Sequence, residues 1–246
     1  MHRLLVSCDV LESDRPTLPP GASRHLKVVR PRPSEVIELF DGAGHARLYR
    51  CGATASAPLE ATGELQSFAS SPFRLTLFAC ITKGSRWDWT VEKSTELGAT
   101  RIVPVISDRC IVRIDRCERA AKRDRWQRIA EDAARQSDAK WLPEICEAMD
   151  FGAALDVAGE CRCFAGALTK PPSPPLLVAV RECMAEHPDA RSFGLFVGPE
   201  GDFTPQELEM LLRVARPASF GSTILRAETA AIYGVSVLAA AIAGLK

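Results

Sequence analysis

The sequence predicts an α/β protein, a parallel sheet covered by helices on both faces and preceded by a small β-barrel-like domain. Three observations predict it. From residue 73 onward, short apolar runs alternate with amphipathic stretches of helical length, the pattern of strands joined by crossover helices. Before residue 70 the apolar runs are short and separated by turn-forming residues. Between the two textures lies Ser70-Ser71-Pro72, small polar residues plus proline that interrupt both helix and sheet. The expected domains are therefore 1–70 and 73–246.

In the first domain the candidate strands are Leu4–Cys8, Val36–Phe40, Ala46–Cys51 and Glu60–Phe68. Asp41-Gly42-Ala43-Gly44 between the second and third is a hairpin signal. In the second domain Arg74–Ile81 reads as a strand. Ser85–Leu97 reads as a helix with Trp89, Val91, Lys93 and Leu97 roughly in register and Gly98 at its end. Arg101–Ile106 is a buried strand. Glu118–Gln136 is a charged amphipathic helix with Trp126, Ile129 and Ala133 on one stripe. Cys161–Leu168 and Phe193–Val197 are further strands. Thr204-Pro205-Gln206-Glu207 opens a helix with a capping-box pair and proline at the first helical position. Ala218–Phe220 reads as a short strand and Glu228–Leu245 as the terminal helix. Lys170-Pro171-Pro172-Ser173-Pro174-Pro175 is a stiff loop, and no repeat is present.

Bulk composition narrows the function classes. With 246 residues, 46% hydrophobic and 25% charged, the chain can build a sizeable core without staples. Net charge is zero, so support for a nucleic-acid partner must come from local clusters. The 9 cysteines include no Cys-x-x-Cys pair, and none of the 4 histidines lies near Cys161-x-Cys163, the one close pair. Zinc sites are usually built from ligands paired at short spacing, so no metal and free buried thiols in a reducing cytosol are expected. Met1-His2-Arg3-Leu4-Leu5-Val6 lacks a signal-peptide apolar run. The apolar stretch Ala230–Leu245 is shorter than a membrane span and is broken by Tyr233, Gly234 and Ser236. A cytoplasmic location with no membrane partner follows as an expectation.

Two segments carry chemistry. Leu195-Phe196-Val197-Gly198-Pro199-Glu200-Gly201 is an apolar strand ending in a glycine-flanked turn before a capped helix, and ligands in open α/β sheets sit at such carboxyl ends. Glycines on both sides of Pro199-Glu200 allow close backbone approach to a ligand. Alone, the turn is as well explained by acidic residues near a helix N-terminus. The second segment, Phe220-Gly221-Ser222-Thr223-Ile224-Leu225-Arg226-Ala227-Glu228-Thr229-Ala230, sets a Gly-Ser turn, an arginine and a Glu-Thr step before an apolar helix. Neither a Gly-x-Gly-x-x-Gly fingerprint nor a P-loop occurs, which disfavours a nucleotide-dependent oxidoreductase.

Together, Gly198-Pro199-Glu200-Gly201 and Ile224-Leu225-Arg226-Ala227-Glu228-Thr229-Ala230 resemble the ribosomal RNA small-subunit methyltransferase E family of the SPOUT superfamily. Lys83-Gly84-Ser85-Arg86-Trp87-Asp88-Trp89, Glu92-Lys93-Ser94-Thr95-Glu96-Leu97-Gly98 and Arg125-Trp126-Gln127-Arg128-Ile129-Ala130 extend the match. Arg24-His25-Leu26 and Glu38-Leu39-Phe40-Asp41-Gly42 carry it into the N-terminal part, so it spans nearly the whole chain. The resemblance implies a PUA-like RNA-binding barrel, a C-terminal domain with a deep trefoil knot, and a homodimer. It also implies S-adenosylmethionine as methyl donor and N3 of a uridine in 16S ribosomal RNA of the 30S subunit as target. The cofactor residues it implies are Leu168 and Thr169, then Val197, Gly198, Pro199, Glu200 and Gly201, then Phe220, Gly221, Ser222, Ile224, Leu225 and Arg226.

Uracil N3 carries a proton and is a poor nucleophile until that proton leaves. Arg226 is accordingly the candidate anion stabiliser, and Glu228, or water it holds, the candidate base. An Arg226–Glu228 pair that only shapes the loop is the alternative. Arg24, His25, Lys27, Arg30 and Arg32 form an acid-free basic run and, with Lys83, are the candidate RNA contacts. A second basic stretch, Arg109 to Arg128, is diluted by acids. The chain departs from the family pattern in three places. Thr223 stands where an arginine is usual, Asp138-Ala139 where Gly-Arg is common, and Asp202 where glycine is common; Lys140 is a substitute cation near the second. Action on another RNA base, or RNA binding without catalysis, are the rival readings. The terminal helix is either core or half of a dimer interface.

Overall fold

The computed structural model describes residues 1–53, 57–167, 169 and 171–244. The chain divides into two compact units, Met1–Ser71 with Glu131–Leu142, and Pro72–Ala130 with Pro143–Lys246. The first division falls at Ser71/Pro72, inside the segment that breaks both helix and sheet. The second stretch of the first unit, residues 131–142, has no counterpart in the linear division at 70–73.

The first unit contains β1 (Arg3–Leu5), α1 (Cys8–Glu12), α2 (Pro20–Val29), β2 (Val36–Phe40), β3 (His45–Arg50), β4 (Glu60–Ala61) and β5 (Gln66–Ser67). Its sheet runs β1-β2-β3-β4, with β5 also on β3; β1 and β2 are parallel and the other pairs antiparallel. The hairpin forms as expected, Phe40 opposite Ala46, with Gly42 and Gly44 at positive φ in the turn. Two expectations fail. The strand at Leu4–Cys8 stops at Leu5, because Ser7 is the N-cap of α1 and Cys8 its first residue. Glu60–Phe68 splits into β4 and β5, separated by Thr62-Gly63-Glu64-Leu65. Helix α2 was not visible in the pattern. It begins with Pro20 at the first helical position and ends on Arg30 in the left-handed region.

Leu4, Leu11, Leu26, Ile37, Leu39 and Tyr49 fill this unit's core, and the Tyr49 hydroxyl donates to Leu11 O at 2.8 Å. Arg3 is buried beside it. Its guanidinium donates to Glu38 Oε2 at 2.5 Å, to Ala134 O at 2.7 Å and to Ala139 O at 3.0 Å. Lys140 Nζ contacts both Glu38 oxygens, at 2.7 and 2.8 Å, and Asp138 at 2.8 Å. That ammonium is committed to an internal network, so Lys140 is not a spare cation for a ligand.

The second unit contains β6 (Arg74–Cys80), α3 (Ser85–Glu96), β7 (Arg101–Ile106), α4 (Arg119–Gln136, divided between the units), β8 (Glu144–Ile145), β9 (Met149–Asp150), α5 (Phe151–Ala158) and β10 (Arg162–Gly166). It continues with α6 (Leu176–Glu186), β11 (Ser192–Val197), α7 (Pro205–Leu211), β12 (Ala215–Ala218) and α8 (Ala227–Ala243). All its strand pairs are parallel, in the order β12-β10-β11-β6-β7-β8, with β9 also on β7. Alternation along the strands divides the core. Leu75, Leu77, Leu195 and Val197 join residues of α3, α6 and α8 on one face. Phe78, Val103, Phe196 and Ala165 join residues of α5 and α7 on the other. Phe78 and Phe196, neighbours on β6 and β11, stack with ring centroids 4.5 Å apart.

Boundaries shift where local pattern is ambiguous. The strand read at Ala218–Phe220 lies at Ala215–Ala218, and β10 begins after Cys161 and ends at Gly166, while Leu168 lies outside the described residues. Helix α3 buries Trp87, Thr90, Val91, Ser94 and Thr95, whereas Trp89 is 43% exposed, so the stripe is rotated from the one expected. The capping box at Thr204 and Glu207 is present with both reciprocal bonds. Helix α8 buries Ala230, Ala231, Gly234, Val235, Leu238 and Ile242, so one side of it is core. A Cβ on Gly234 would lie 2.4 Å from Leu195 Cδ2, which explains a glycine in mid-helix. All 9 cysteines are free thiols, but not all are buried, since Cys8 and Cys117 are exposed. Among the described residues, no helix is long and apolar enough to cross a membrane.

Candidate functional site

Register brings the chemistry-bearing segments together. On either side of β10, Gly166 pairs with Val197 of β11 and with Ala218 of β12. The loops that follow these three strands therefore leave the same edge of the sheet at the same level. Val197 also pairs with Ala79, so the Thr82–Gly84 segment after β6 leaves that edge too. Ligands in parallel sheets bind at this carboxyl edge, where side chains and free backbone groups converge.

The loops are tied to one another. Ser219 N donates to Pro174 O at 2.8 Å and Leu176 N to Ser219 O at 2.9 Å, joining the loops after β10 and β12. The Phe220 ring lies over Gly166, where a Cβ would meet it at 2.5 Å, and packs against Tyr233 at 5.6 Å. Thr169 Oγ1 sits 2.5 Å from Ser173 Oγ. Leu168, the other residue assigned in that loop, lies outside the described residues. In the loop after β11, Pro199 is buried, whereas Glu200 and Gly201 face solvent.

Two arginines hold that loop, and sequence reasoning assigned neither of them to the site. Arg86 of α3 reaches Glu200 Oε1 at 3.2 Å. Arg109 donates to Gly201 O at 2.9 Å and Phe203 O at 3.3 Å. Arg86 falls within the Lys83–Trp89 motif, a usable signal, but nothing local marks Arg109.

Asp202 explains one departure from the family pattern. Its φ is +57°, the left-handed region where glycine is favoured and aspartate tolerated, and its Oδ1 accepts from Phe203 N at 2.8 Å. Asp138, with φ +60° just beyond α4, stands likewise where glycine is common. We expect Asp202→Gly to leave stability nearly unchanged and Asp202→Val to cost about 1–2 kcal/mol in urea unfolding. Equal midpoints for the valine variant and the parent protein would sink that explanation.

The segment after β12 is exposed from Gly221 to Ile224, and Ile224 is 85% exposed. Arg226 is the N-cap residue of α8 and is exposed. Among the described residues its side chain forms no ion pair or hydrogen bond, so the Arg226–Glu228 pair considered from sequence is not made. Glu228, two residues on, is 7% exposed, and its Oε2 has no hydrogen-bond partner among the described residues. A buried carboxylate oxygen without a partner is costly unless a ligand or proton meets it.

The basic runs behave differently from each other. Arg24, Lys27, Arg30 and Arg32 of the first unit are exposed, and among the described residues their side chains pair with no acid. His25 is half-buried, and its pKa is held below the usual histidine value by that burial and then by the charges of Arg135 and His2. An open cavity of about 580 Å³ beside this run is lined by His2, Arg30, Arg32, Pro33, Ser34 and Glu35. Lys83 of the second unit is also exposed. The second basic run is largely spent internally. Arg113 donates to Ser107 O and Asp108 O, Arg119 pairs with Asp150, Arg123 with Asp124, and Arg125 with Asp88.

Comparison with known proteins adds to this geometry. Residues 69–239 match the model of the RNA methyltransferase domain family. A ribosomal RNA small subunit methyltransferase E from Synechocystis is 29% identical over 235 residues, covering 93% of this chain and 74% of that protein. The crystal structure of a ribosomal RNA small subunit methyltransferase E from Neisseria gonorrhoeae bound to S-adenosyl methionine superposes with TM-score 0.78 at 33% identity. It covers 96% of this chain and 95% of its own. A structure from Legionella pneumophila in complex with the bound cofactor SAM gives TM-score 0.78 at 25% identity, covering 98% of both chains. With a family model matched over more than half its length and a relative 33% identical across nearly all of it, this chain belongs to the ribosomal RNA small subunit methyltransferase E family of RNA methyltransferases.

Proposed function

We propose that this protein transfers the methyl group of S-adenosylmethionine to N3 of a uridine in 16S ribosomal RNA of the small subunit. The observation that carries the reading is the shared carboxyl edge of β10, β11 and β12, from which the three assigned segments emerge together. The residues present fit such a cofactor. Leu225 is only partly buried and offers apolar surface, and Glu228 holds a buried oxygen with no partner among the described residues. When bound, the cofactor supplies an electrophilic methyl on a sulfonium. The protein's part is to hold the acceptor nitrogen in line and to remove its proton.

In this reading Val197–Gly201, Thr169, and Phe220–Ser222 with Ile224–Arg226 hold the cofactor, and Leu168 joins them by motif position. The Arg226 guanidinium faces the developing negative charge on the uracil ring, and Glu228, or water it orients, takes the N3 proton. The acceptor base would leave its stack to reach the pocket. The N-terminal unit acts as a PUA-like RNA-binding domain, roughly residues 1–70, presenting Arg24, His25, Lys27, Arg30 and Arg32 to phosphates. Lys83 adds a further phosphate contact from the 73–246 methyltransferase domain. Family membership further suggests a deep trefoil knot around the cofactor loops, a homodimer using the knot domain, and a cytoplasmic location beside the ribosome.

Two measurements test this. Calorimetric titration with S-adenosylmethionine should show one site per chain, and no binding at millimolar ligand would overturn the assignment. Incubation with labelled cofactor and 30S subunits from cells lacking the activity should place the label on uridine N3 by mass spectrometry. Label on any other atom would move the chain to a different target base. The exposed Thr223, at the position where the family carries a cation, is the specific reason to map the base rather than assume it.

A further inference from the structure

The N-terminal unit holds a cluster that the methyl-transfer reading does not use. Cys8 is the first residue of α1, Asp41 directly follows β2, and His45 opens β3. No linear spacing connects Cys8 to the other two. The parallel pairing of β1 with β2 does: Leu5 lies opposite Phe40 and Val6 N donates to Phe40 O at 3.0 Å, so the chain continues to Cys8 alongside Asp41. One donor atom from each residue, sulfur, nitrogen and oxygen, lies within 4.8 Å of the other two.

The carboxylate is built in. Asp41 Oδ1 accepts from Ala43 N at 2.7 Å and His45 N at 2.9 Å, while Oδ2 lies 2.7 Å from His45 Nδ1. The Asp41 side chain is 5% exposed. Burial works to raise its pKa, but the two backbone N–H groups and His45 outweigh it and hold the group below the usual carboxylate value. A turn alone needs only Oδ1 and leaves the placement of the thiol unexplained.

We propose that Cys8, Asp41 and His45 form a binding site for a zinc-class divalent cation, with solvent completing the coordination. A mixed thiolate, imidazole and carboxylate set suits a borderline ion that accepts four ligands, and not magnesium or calcium, which prefer oxygen alone. The surroundings favour positive charge. The carboxylates of Asp41, Glu12 and Asp9 lie near enough to the Cys8 thiol to act on it electrostatically, and negative charge there attracts a cation. On binding, the sulfur–metal bond forms as the thiol proton passes to solvent. The ion also replaces the proton between Nδ1 and Oδ2, with the imidazole proton carried on Nε2. No change of oxidation state is involved. The ion would clip the start of α1 to the β2–β3 hairpin.

The test uses the full-length protein, stripped with a chelator, kept reduced and titrated with Co²⁺. We expect one equivalent to bind with a thiolate-to-cobalt charge-transfer band and the intense visible bands of four-coordinate cobalt, both lost on adding Zn²⁺. Cys8→Ser should abolish the charge-transfer band. His45→Ala should weaken binding by more than the roughly 10–100-fold that second-shell changes cost. Cys117→Ser, at the other exposed cysteine, should leave the titration unchanged. Circular dichroism establishes that each variant is folded. Absence of the band, its persistence in Cys8→Ser, or its loss in Cys117→Ser would each overturn the proposal. The readout is spectral, so it is independent of methyl transfer.

Discussion

Replacing Arg226 with alanine is expected to lower single-turnover methyl transfer by about 10²–10³-fold, the usual cost of removing a group that stabilises developing negative charge. Calorimetric affinity for S-adenosylmethionine should change by no more than a few-fold, because in the proposed reading Arg226 is one of about a dozen cofactor-holding residues and the rest are unaltered. The expectation rests on where this side chain stands. It is the N-cap residue of α8, exposed, and committed to no ion pair among the described residues. A structural arginine would be engaged, as Arg86 and Arg109 are with the loop after β11. Arg226→Lys keeps the charge but loses the planar fork, so its rate should fall between those of the parent and the alanine variant. Undiminished turnover in Arg226→Ala would reduce the residue to a loop-shaping role.

The largest effect on stability is expected from Glu38→Ala in the N-terminal unit. Glu38 pairs with Arg3 at 2.5 Å and with Lys140 at 2.7 Å, and the side chains of Arg3 and Glu38 are 5% and 7% exposed. Removing one member of a buried pair leaves uncompensated charge, which costs about 3–5 kcal/mol. A typical domain is stable by only about 5–15 kcal/mol, so this unit should unfold at markedly lower urea. Asp138, 3.2 Å from Arg3 but itself 71% exposed, can recover only part of the loss. Glu38→Gln keeps acceptor capacity and should be milder. A urea midpoint for Glu38→Ala matching the parent would show that water reaches the network and screens it.

What was legible in the sequence was local. Val36–Phe40 and Arg101–Ile106 are strands with the expected bounds, because turn residues or charge flank each apolar run. The Thr204–Glu207 capping box and the Asp41–Gly44 hairpin carry their chemistry within a few residues, and both are present. Helix α2 was missed because its Pro-Gly start reads as a turn and its buried residues are only Ala22 and Leu26. Strand β12 was displaced because Arg216 and Pro217 disguise a strand that is only 4 residues long. For the site, motif resemblance supplied the segments, but their meeting depends on β10 lying between β11 and β12. That order arises from long-range pairing and leaves no trace in spacing. The same holds for Arg109 reaching Gly201, and for Cys8 lying beside Asp41.

The discontinuity of the first unit bears on how the chain is made. Arg3 donates to Ala134 O and Ala139 O, Leu142 N donates to Gly42 O, and Trp141 Nε1 to Phe68 O. None of these bonds can form while only the first 71 residues have been synthesised. Emerging from the ribosome, the amino-terminal segment must wait, with Arg3 and Glu38 lacking part of their final surroundings, until the chain beyond Trp141 has followed. The first unit therefore cannot be completed before residues 72–130 of the second have been synthesised, in contrast to a chain whose domains follow one another without interruption. Slowed elongation between residues 71 and 142 would prolong the time for which the complete set of β1–β5 stands without the 131–142 stretch that covers Arg3 and Glu38.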